Sequence, residues 1–173
     1  MADSAADLAT RVRSALEKEP LAMTLLLAHQ LGVPEAEIVR ALPDGRSCEL
    51  ELSRWEELIR SFPALQKVHV ICSNAAVTLE AVGQFGGFST AGIFFNVQTP
   101  SIDMHIRHAQ LGSVFAVEKP GHVDGVPTVS FQFFDRAGHA AFKVFLTFGG
   151  SAPDPKRMSQ FVELREKFRA HRA

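Results

Sequence analysis

The sequence predicts an α+β fold in which short helices come first, a large antiparallel β-sheet follows and a C-terminal helix covers the sheet. Three observations carry that expectation. Apolar residues recur at helical spacing as far as residue 62, the period then drops to two with turn signals between short runs, and a last segment with apolar residues on one side closes the chain. The 173 residues fit one domain against a prior of roughly 150 per domain. Within it the helical segment takes 1–62, the sheet 66–148 and the closing helix 156–170. With 46% hydrophobic and 21% charged residues, the chain has the apolar surface for a core and is not disordered as a whole.

The first three helices lie between Ala5 and Leu42. Leu8, Val12 and Leu16 mark the first, Leu25, Leu26 and Leu31 the second, and Ile38, Val39 and Leu42 the third. Pro20, Gly32-Val33-Pro34 and Pro43-Asp44-Gly45 separate and end them. Glu51 to Phe62 predicts one more turn or helix with Trp55, Leu58 and Ile59 inward, Ser53 and Glu56 spaced as a capping box, and Pro63 as its stop. Runs rich in Val, Ile, Phe and Thr then predict strands over 67–73, 75–82, 92–98, 102–108, 113–118, 128–134 and 140–148. Val68, Val70 and Cys72 oppose His69, Ile71 and Ser73, and Val129, Phe131 and Phe133 oppose Ser130, Gln132 and Phe134. That alternation belongs to strands with one face in a core. Asp135-Arg136-Ala137-Gly138 predicts a hairpin whose glycine takes positive φ. Gly83-Gln84-Phe85-Gly86-Gly87 joins two strands and opens no helix, so it reads as a second hairpin loop rather than a phosphate cradle. Residues 149–155 read as a loop, and the helix after them carries Phe161, Leu164 and Phe168 on one side. One helix does not fully cover so wide a sheet, which predicts a second copy of the chain as a homodimer partner.

Charge and composition exclude several classes. Eighteen Lys and Arg against 19 Asp and Glu leave a net charge of −1, with no broad cationic field for nucleic acid or anionic lipid. The first twenty residues scatter Asp3, Asp7, Arg11, Arg13, Glu17, Lys18 and Glu19 and read as neither signal peptide nor anchor. No apolar run reaches the ~18 residues of a membrane span, so the expected compartment is the cytoplasm. Cys48 and Cys72 form no CxxC and allow at most one bridge; both read as small core residues. The 14 phenylalanines, with one tryptophan and no tyrosine, suit a dry core or a pocket for a flat apolar ligand.

Few local patterns carry chemistry. Ala28, Gly32 and Ile38 have the spacing of a helix-turn-helix, but the second helix opens on Glu35 and Glu37 and offers only Arg40 to a phosphate backbone. His29, His69, His105, His108, His122, His139 and His171 include no helical ligand pair, and His105 and His108 face opposite sides of a strand. Asp103, His105 and Arg107 share one face, opposite Ile102, Met104 and Ile106. They read either as an exposed polar face or as an imidazole beside a guanidinium, the equipment for holding an acidic tetrapyrrole through its iron and a carboxylate. No nucleophile elbow or dinucleotide fingerprint is present, and enzyme chemistry has no visible carrier.

From about Leu16 to Phe168 the order of these pieces resembles the ChuX/HutX-type haem utilisation proteins, small cytosolic haem carriers. LGVPEAEIVRALP resembles the family's N-terminal helical segment, AAVTLEAVGQF its first hairpin, GIFFN (Gly92 to Asn96) its Gly-aromatic-Phe-Asn strand, MHIRH the strand with a haem-linked histidine, FAVEKP the strand with an acid-base pair, and FFDRAGHAAFKVFL the closing hairpin. The resemblance implies a split-barrel-like sheet flanked by helices, a homodimer, and haem held by a histidine and passed to a downstream partner. It places His105 on a haem-linked histidine and Ser73, beside Cys72 and Asn74, on the position of the other. The chain departs from the family at Thr147-Phe148-Gly149 and at Pro63-Ala64. Cys72 faces away from Ser73, and His69 lies about 13 Å along the strand at roughly 3.3 Å per residue, so neither replaces the missing histidine.

Three functional readings follow. In the first, the chain carries haem, with His105 as its one axial ligand, Arg107 assisting a propionate and the Phe-rich sheet giving apolar contact. The second is a dimeric protein of the same fold that binds another planar or hydrophobic ligand or acts as an interaction module. The third is a DNA-binding regulator using the N-terminal helices.

Overall fold

The computed structural model describes residues 5–74, 76–122, 125–146 and 154–171. Helix α1 (Ala5–Lys18) buries Leu8, Val12 and Leu16, one per turn. Helix α2 (Thr24–Leu31) stops at Gly32, whose left-handed φ of 68° turns the chain into α3 (Glu35–Arg40). The three N-terminal helices thus lie where the spacing puts them.

Strand β1 (Ser47–Leu50) follows, a strand that the periodicity does not predict. Four residues between a glycine turn and a helix give too short an alternation to read. Helix α4 (Trp55–Ser61) lies between two 3-10 turns, Leu52–Arg54 and Phe62–Leu65. The expected capping box does not form. The 3-10 turn absorbs Ser53 and leaves Arg54 at the cap, where its side chain binds Glu57 at 2.9 Å. Pro63 does not stop the segment either, because it occupies the first turn of the second 3-10 stretch, where a missing N–H costs nothing.

The remaining strands are β2 (Lys67–Ser73), β3 (Thr78–Gln84), β4 (Phe88–Ala91), β5 (Phe94–Gln98), β6 (Asp103–Ile106), β7 (Leu111–Pro120), β8 (Pro127–Asp135) and β9 (Ala140–Phe145), before helix α5 (Pro155–Phe168). All pairings among them are antiparallel. They form a six-stranded sheet in the order β1-β7-β8-β9-β2-β3 and a separate three-stranded sheet, β4-β5-β6. The expected hairpin at Gly83–Gly87 is therefore a crossover between sheets. Gly83 and Gln84 end β3, Phe85 drops fully into the core, and Gly87, at φ 64°, sits where a Cβ would lie 1.9 Å from the Gln98 carbonyl oxygen. The chain then pairs as β4 with β5 through a turn at Gly92 and Ile93, residues expected inside a strand.

Alternation along β7 and β8 divides the core between the two faces of the large sheet. Val114, Ala116, Phe131 and Phe133 point into the larger cluster with α4, α5 and the small sheet, while Phe115, Val117 and Phe134 meet α1, α2 and α3. Nine phenylalanines among the described residues are fully buried, and Phe133 stacks on Phe142 with ring centres 4.4 Å apart. Most of the phenylalanine is thus core rather than ligand surface, which corrects the expected Phe-rich contact. No helix among the described residues is long and apolar enough to cross a membrane.

The β8–β9 hairpin forms as expected. Asp135 Oδ1 accepts from the N–H groups of Ala137 and His139, and Gly138 takes φ 81°. Its carbonyl also accepts from Ala36 N–H at 3.0 Å, docking the start of α3 on the hairpin. A Cβ at Gly138 would lie 2.7 Å from Pro34 Cβ. Gly138→Val is therefore expected to cost about 1–3 kcal/mol, read by urea unfolding; a cost near zero would show that this turn relaxes freely.

Lys119 donates to the Pro120 carbonyl at 2.7 Å. Burial, with the charges of Lys143 and Arg46, pushes its ammonium down to about 8. Above about pH 8 and up to the ordinary lysine value near 10.4, the unfolded chain keeps a proton that the folded chain has released, so this group makes stability rise with pH. Below about 8 both states are charged and the full penalty stands. Lys119→Met should raise Tm at pH 7 by on the order of 2–4 °C and lose that gain above pH 10; thermal melts at the two pH values check it.

Candidate functional site

The small sheet sets the site by register. Ser89 faces Asn96 across β4–β5, and Asn96 faces His105 across β5–β6, so the three side chains form one row on the outer face. Ala91 pairs with Phe94 in the next row, and Arg107 lies two residues beyond His105, just past the end of β6. The opposite face carries Phe95, Val97 and Ile106, all buried. One side of this sheet is thereby anchored in the core and the other is presented outward.

His105 keeps 55% of its side chain exposed. Its Nδ1 lies 2.8 Å from Asn96 Oδ1, while Asn96 is only 6% exposed and donates from Nδ2 to Ser89 Oγ at 3.1 Å. On the other side of the ring, Nε2 is 3.7 Å from Asp103 Oδ1, too far for a hydrogen bond. The Phe94 ring stands edge-on at 6.2 Å between centres. Arg107 is exposed and makes no ion pair among the described residues. The structure thus puts Asp103 and His105 on one face of β6, as the alternation requires, while Arg107, also exposed, falls just beyond the strand expected to hold it, at the cap of a 3-10 turn. It adds Asn96 and Phe94, whose place beside His105 the sequence signals only through period two in GIFFN.

An imidazole with one nitrogen tied and the other turned outward, next to an aromatic edge and with an exposed arginine two residues on, has the donor set for the iron of a flat acidic macrocycle. No group of three or more His, Cys, Asp or Glu side chains able to hold a bare metal ion occurs among the described residues. Cys48 and Cys72 are free thiols pushed up by burial, the state of packed rather than reactive cysteines.

Ser73 lies elsewhere. It ends β2 in the six-stranded sheet, and its hydroxyl hydrogen-bonds Thr78 Oγ1 at 2.9 Å across the β2–β3 pair. With His29, Pro34, Glu35 and His139 it lines an open cleft of about 650 Å³ between α2–α3 and the sheet, and His105 is not part of that lining. His69 is held by Glu80 at 2.8 Å, and His108 stacks on Trp55 at 5.5 Å. Beneath the cleft, Glu35 Oε1 accepts from Lys143 Nζ and Thr24 Oγ1, both at 2.5 Å. The departure at Thr147-Phe148-Gly149 lies outside the described residues, and Pro63-Ala64 forms part of a 3-10 turn.

Over 138 residues the chain is 28% identical to the intracellular heme transport protein HutX of Vibrio cholerae, covering 79% of this chain and 70% of that protein. The crystal structure of ChuX superposes with a TM-score of 0.79 at 22% identity, over 90% of this chain and 96% of that one. Holo-PhuS, a heme-binding protein from Pseudomonas aeruginosa, gives a TM-score of 0.79 at 25% identity over 97% of this chain; the match spans 46% of PhuS, about half of it. Residues 48–164 match the profile of the haem utilisation ChuX/HutX family, well over half of the chain, and the protein therefore belongs to that family.

Proposed function

We propose that this protein binds haem and carries it as cargo within the cytoplasm, with His105 as its one axial ligand to the iron. The observation that carries the reading is the half-exposed His105 ring, tied to Asn96 through Nδ1 and presented on the outer face of the small sheet. Family membership and the haem transport role of its HutX relative support it. Arg107 would receive a propionate carboxylate, since it is exposed two residues from His105. Ser73, in the place of a second family histidine, is committed to Thr78 and lines a different cleft, which supports a site with one histidine. A single protein ligand leaves the other iron face accessible, as hand-over to a haem-accepting partner requires.

A homodimer forms part of this proposal. Strand β3 is an edge of the six-stranded sheet, and Val77, Leu79 and Val82 are 61%, 62% and 40% exposed along or just before it. An unpaired strand edge with apolar side chains invites a second copy.

The test is a hemin titration of the purified protein, followed by Soret absorbance with the mass in solution measured alongside. Saturation at one hemin per chain is the expected result. A linear, unsaturated rise would remove the haem reading and favour the alternative, a planar or apolar ligand other than haem, for which the 650 Å³ cleft beside Ser73 is the place to look.

A further inference from the structure

We infer that Asn96 is a positioning residue that holds His105 in the Nδ1–H tautomer and so keeps the Nε2 lone pair for an incoming metal centre. The inference rests on the haem reading for its purpose, but its chemistry is fixed by atoms of this chain alone. Asn96 Oδ1 has no proton to give, so the 2.8 Å contact exists only when His105 Nδ1 is the donor. The neighbouring bonds orient the amide in the same sense. Ser89 Oγ donates to Gln98 Oε1 at 3.5 Å and accepts from Asn96 Nδ2 at 3.1 Å, which turns the amide oxygen toward the histidine. The donors thus run one way, from His105 through Asn96 and Ser89 to Gln98.

Burial makes the arrangement firm. Asn96 is 6% exposed on the middle strand of its sheet, whereas His105 lies on an edge strand with more than half of its side chain open. An amide this buried is costly to leave unpaired, so it constrains the exposed ring rather than the reverse. In a neutral imidazole one nitrogen carries the proton and the other the lone pair, and fixing the first at Nδ1 leaves the second on Nε2. Asp103 faces Nε2 from 3.7 Å and favours a proton there, so Asn96 and Asp103 pull the ring toward opposite tautomers. The shorter contact, made by the buried partner, prevails.

The deciding measurement is a nitrogen-15 long-range correlation spectrum of the imidazoles in the full, haem-free chain at alkaline pH, for wild type, Asn96→Leu, Asn96→Asp and Asp103→Asn. Wild type and Asp103→Asn are expected to show His105 with its proton on Nδ1. Asn96→Leu is expected to move the majority to Nε2–H, and Asn96→Asp, which keeps an acceptor in place, to restore Nδ1–H. The Asp variant also covers the case in which the Leu variant does not fold. A wild-type His105 protonated at Nε2, or an Asn96→Leu spectrum unchanged from wild type, would overturn the assignment whether or not haem binds.

Hemin titrations of the same proteins separate the two ideas. Asn96→Leu should weaken hemin binding 10–100-fold, the usual effect of losing a partner behind a ligating histidine, and Asn96→Asp should lower the reduction potential of the bound iron by making the imidazole more electron-rich. If the tautomer moves as expected while hemin never saturates the wild type, the role of Asn96 stands and the haem reading falls. If hemin saturates while the tautomer ignores Asn96, the reverse holds.

Discussion

Replacing His105 by alanine is expected to weaken hemin binding more than about 100-fold and to remove the saturable Soret shift. Loss of a supporting partner already costs 10–100-fold in metal affinity, so loss of the ligand itself must exceed it. The other candidates among the described residues are engaged: Ser73, in the other sheet, is tied to Thr78, His69 to Glu80, and His108 is stacked on Trp55. His69→Ala and His108→Ala should therefore bind hemin as wild type does. His105→Gly leaves a gap on an exposed strand face that free imidazole can fill, and added imidazole should restore the shift. Wild-type affinity in His105→Ala would place the iron elsewhere on the molecule.

The second large effect is on stability. Lys143→Ala is expected to cost about 3–5 kcal/mol, because it strands the buried carboxylate of Glu35 with a single hydroxyl donor. The Glu35 side chain is 2% exposed and that of Lys143 13%, and Glu35 Oε2 already has no partner among the described residues. The pair ties the start of α3 to β9, with Thr24 adding the first residue of α2. Replacing both members with uncharged residues of similar size, Glu35→Gln with Lys143→Met, should return most of the loss, since no charge then stays uncompensated. Urea unfolding of the two single variants and the double variant measures the coupling. A single-variant cost below about 1 kcal/mol would mean that water reaches the carboxylate and that the pair is no anchor.

Much of the candidate site is legible in the chain's own periodicity. Residues 103–106 alternate, and alternation is a local property of an extended chain, so Asp103 and His105 must share a face once they form β6, while Arg107 lies one residue past the strand. The N-terminal helices are equally legible, because Pro20, Gly32 and Pro34 act on the backbone of their own segment. So is the β8–β9 hairpin, where Asp135 and Gly138 supply the turn by themselves.

What local pattern does not reveal is which strand pairs with which. Two sheets stand where one is expected because Phe85 finds its place in the core and Gly87 must pass within contact of the Gln98 carbonyl, neither of which leaves a trace in the periodicity. Ser73 and His105 are equivalent as strand residues, yet the crossover assigns them to different sheets. The hydrogen bond from His105 to Asn96 needs the β5–β6 register, which a one-residue slip would destroy. That the His105 imidazole and the Asp103 carboxylate face the same way is thus written in three consecutive residues, since near neighbours along an extended chain settle that question. What stands behind the imidazole, and which residues share its surface, follows instead from packing, since those contacts depend on strands brought together by the burial of a common core.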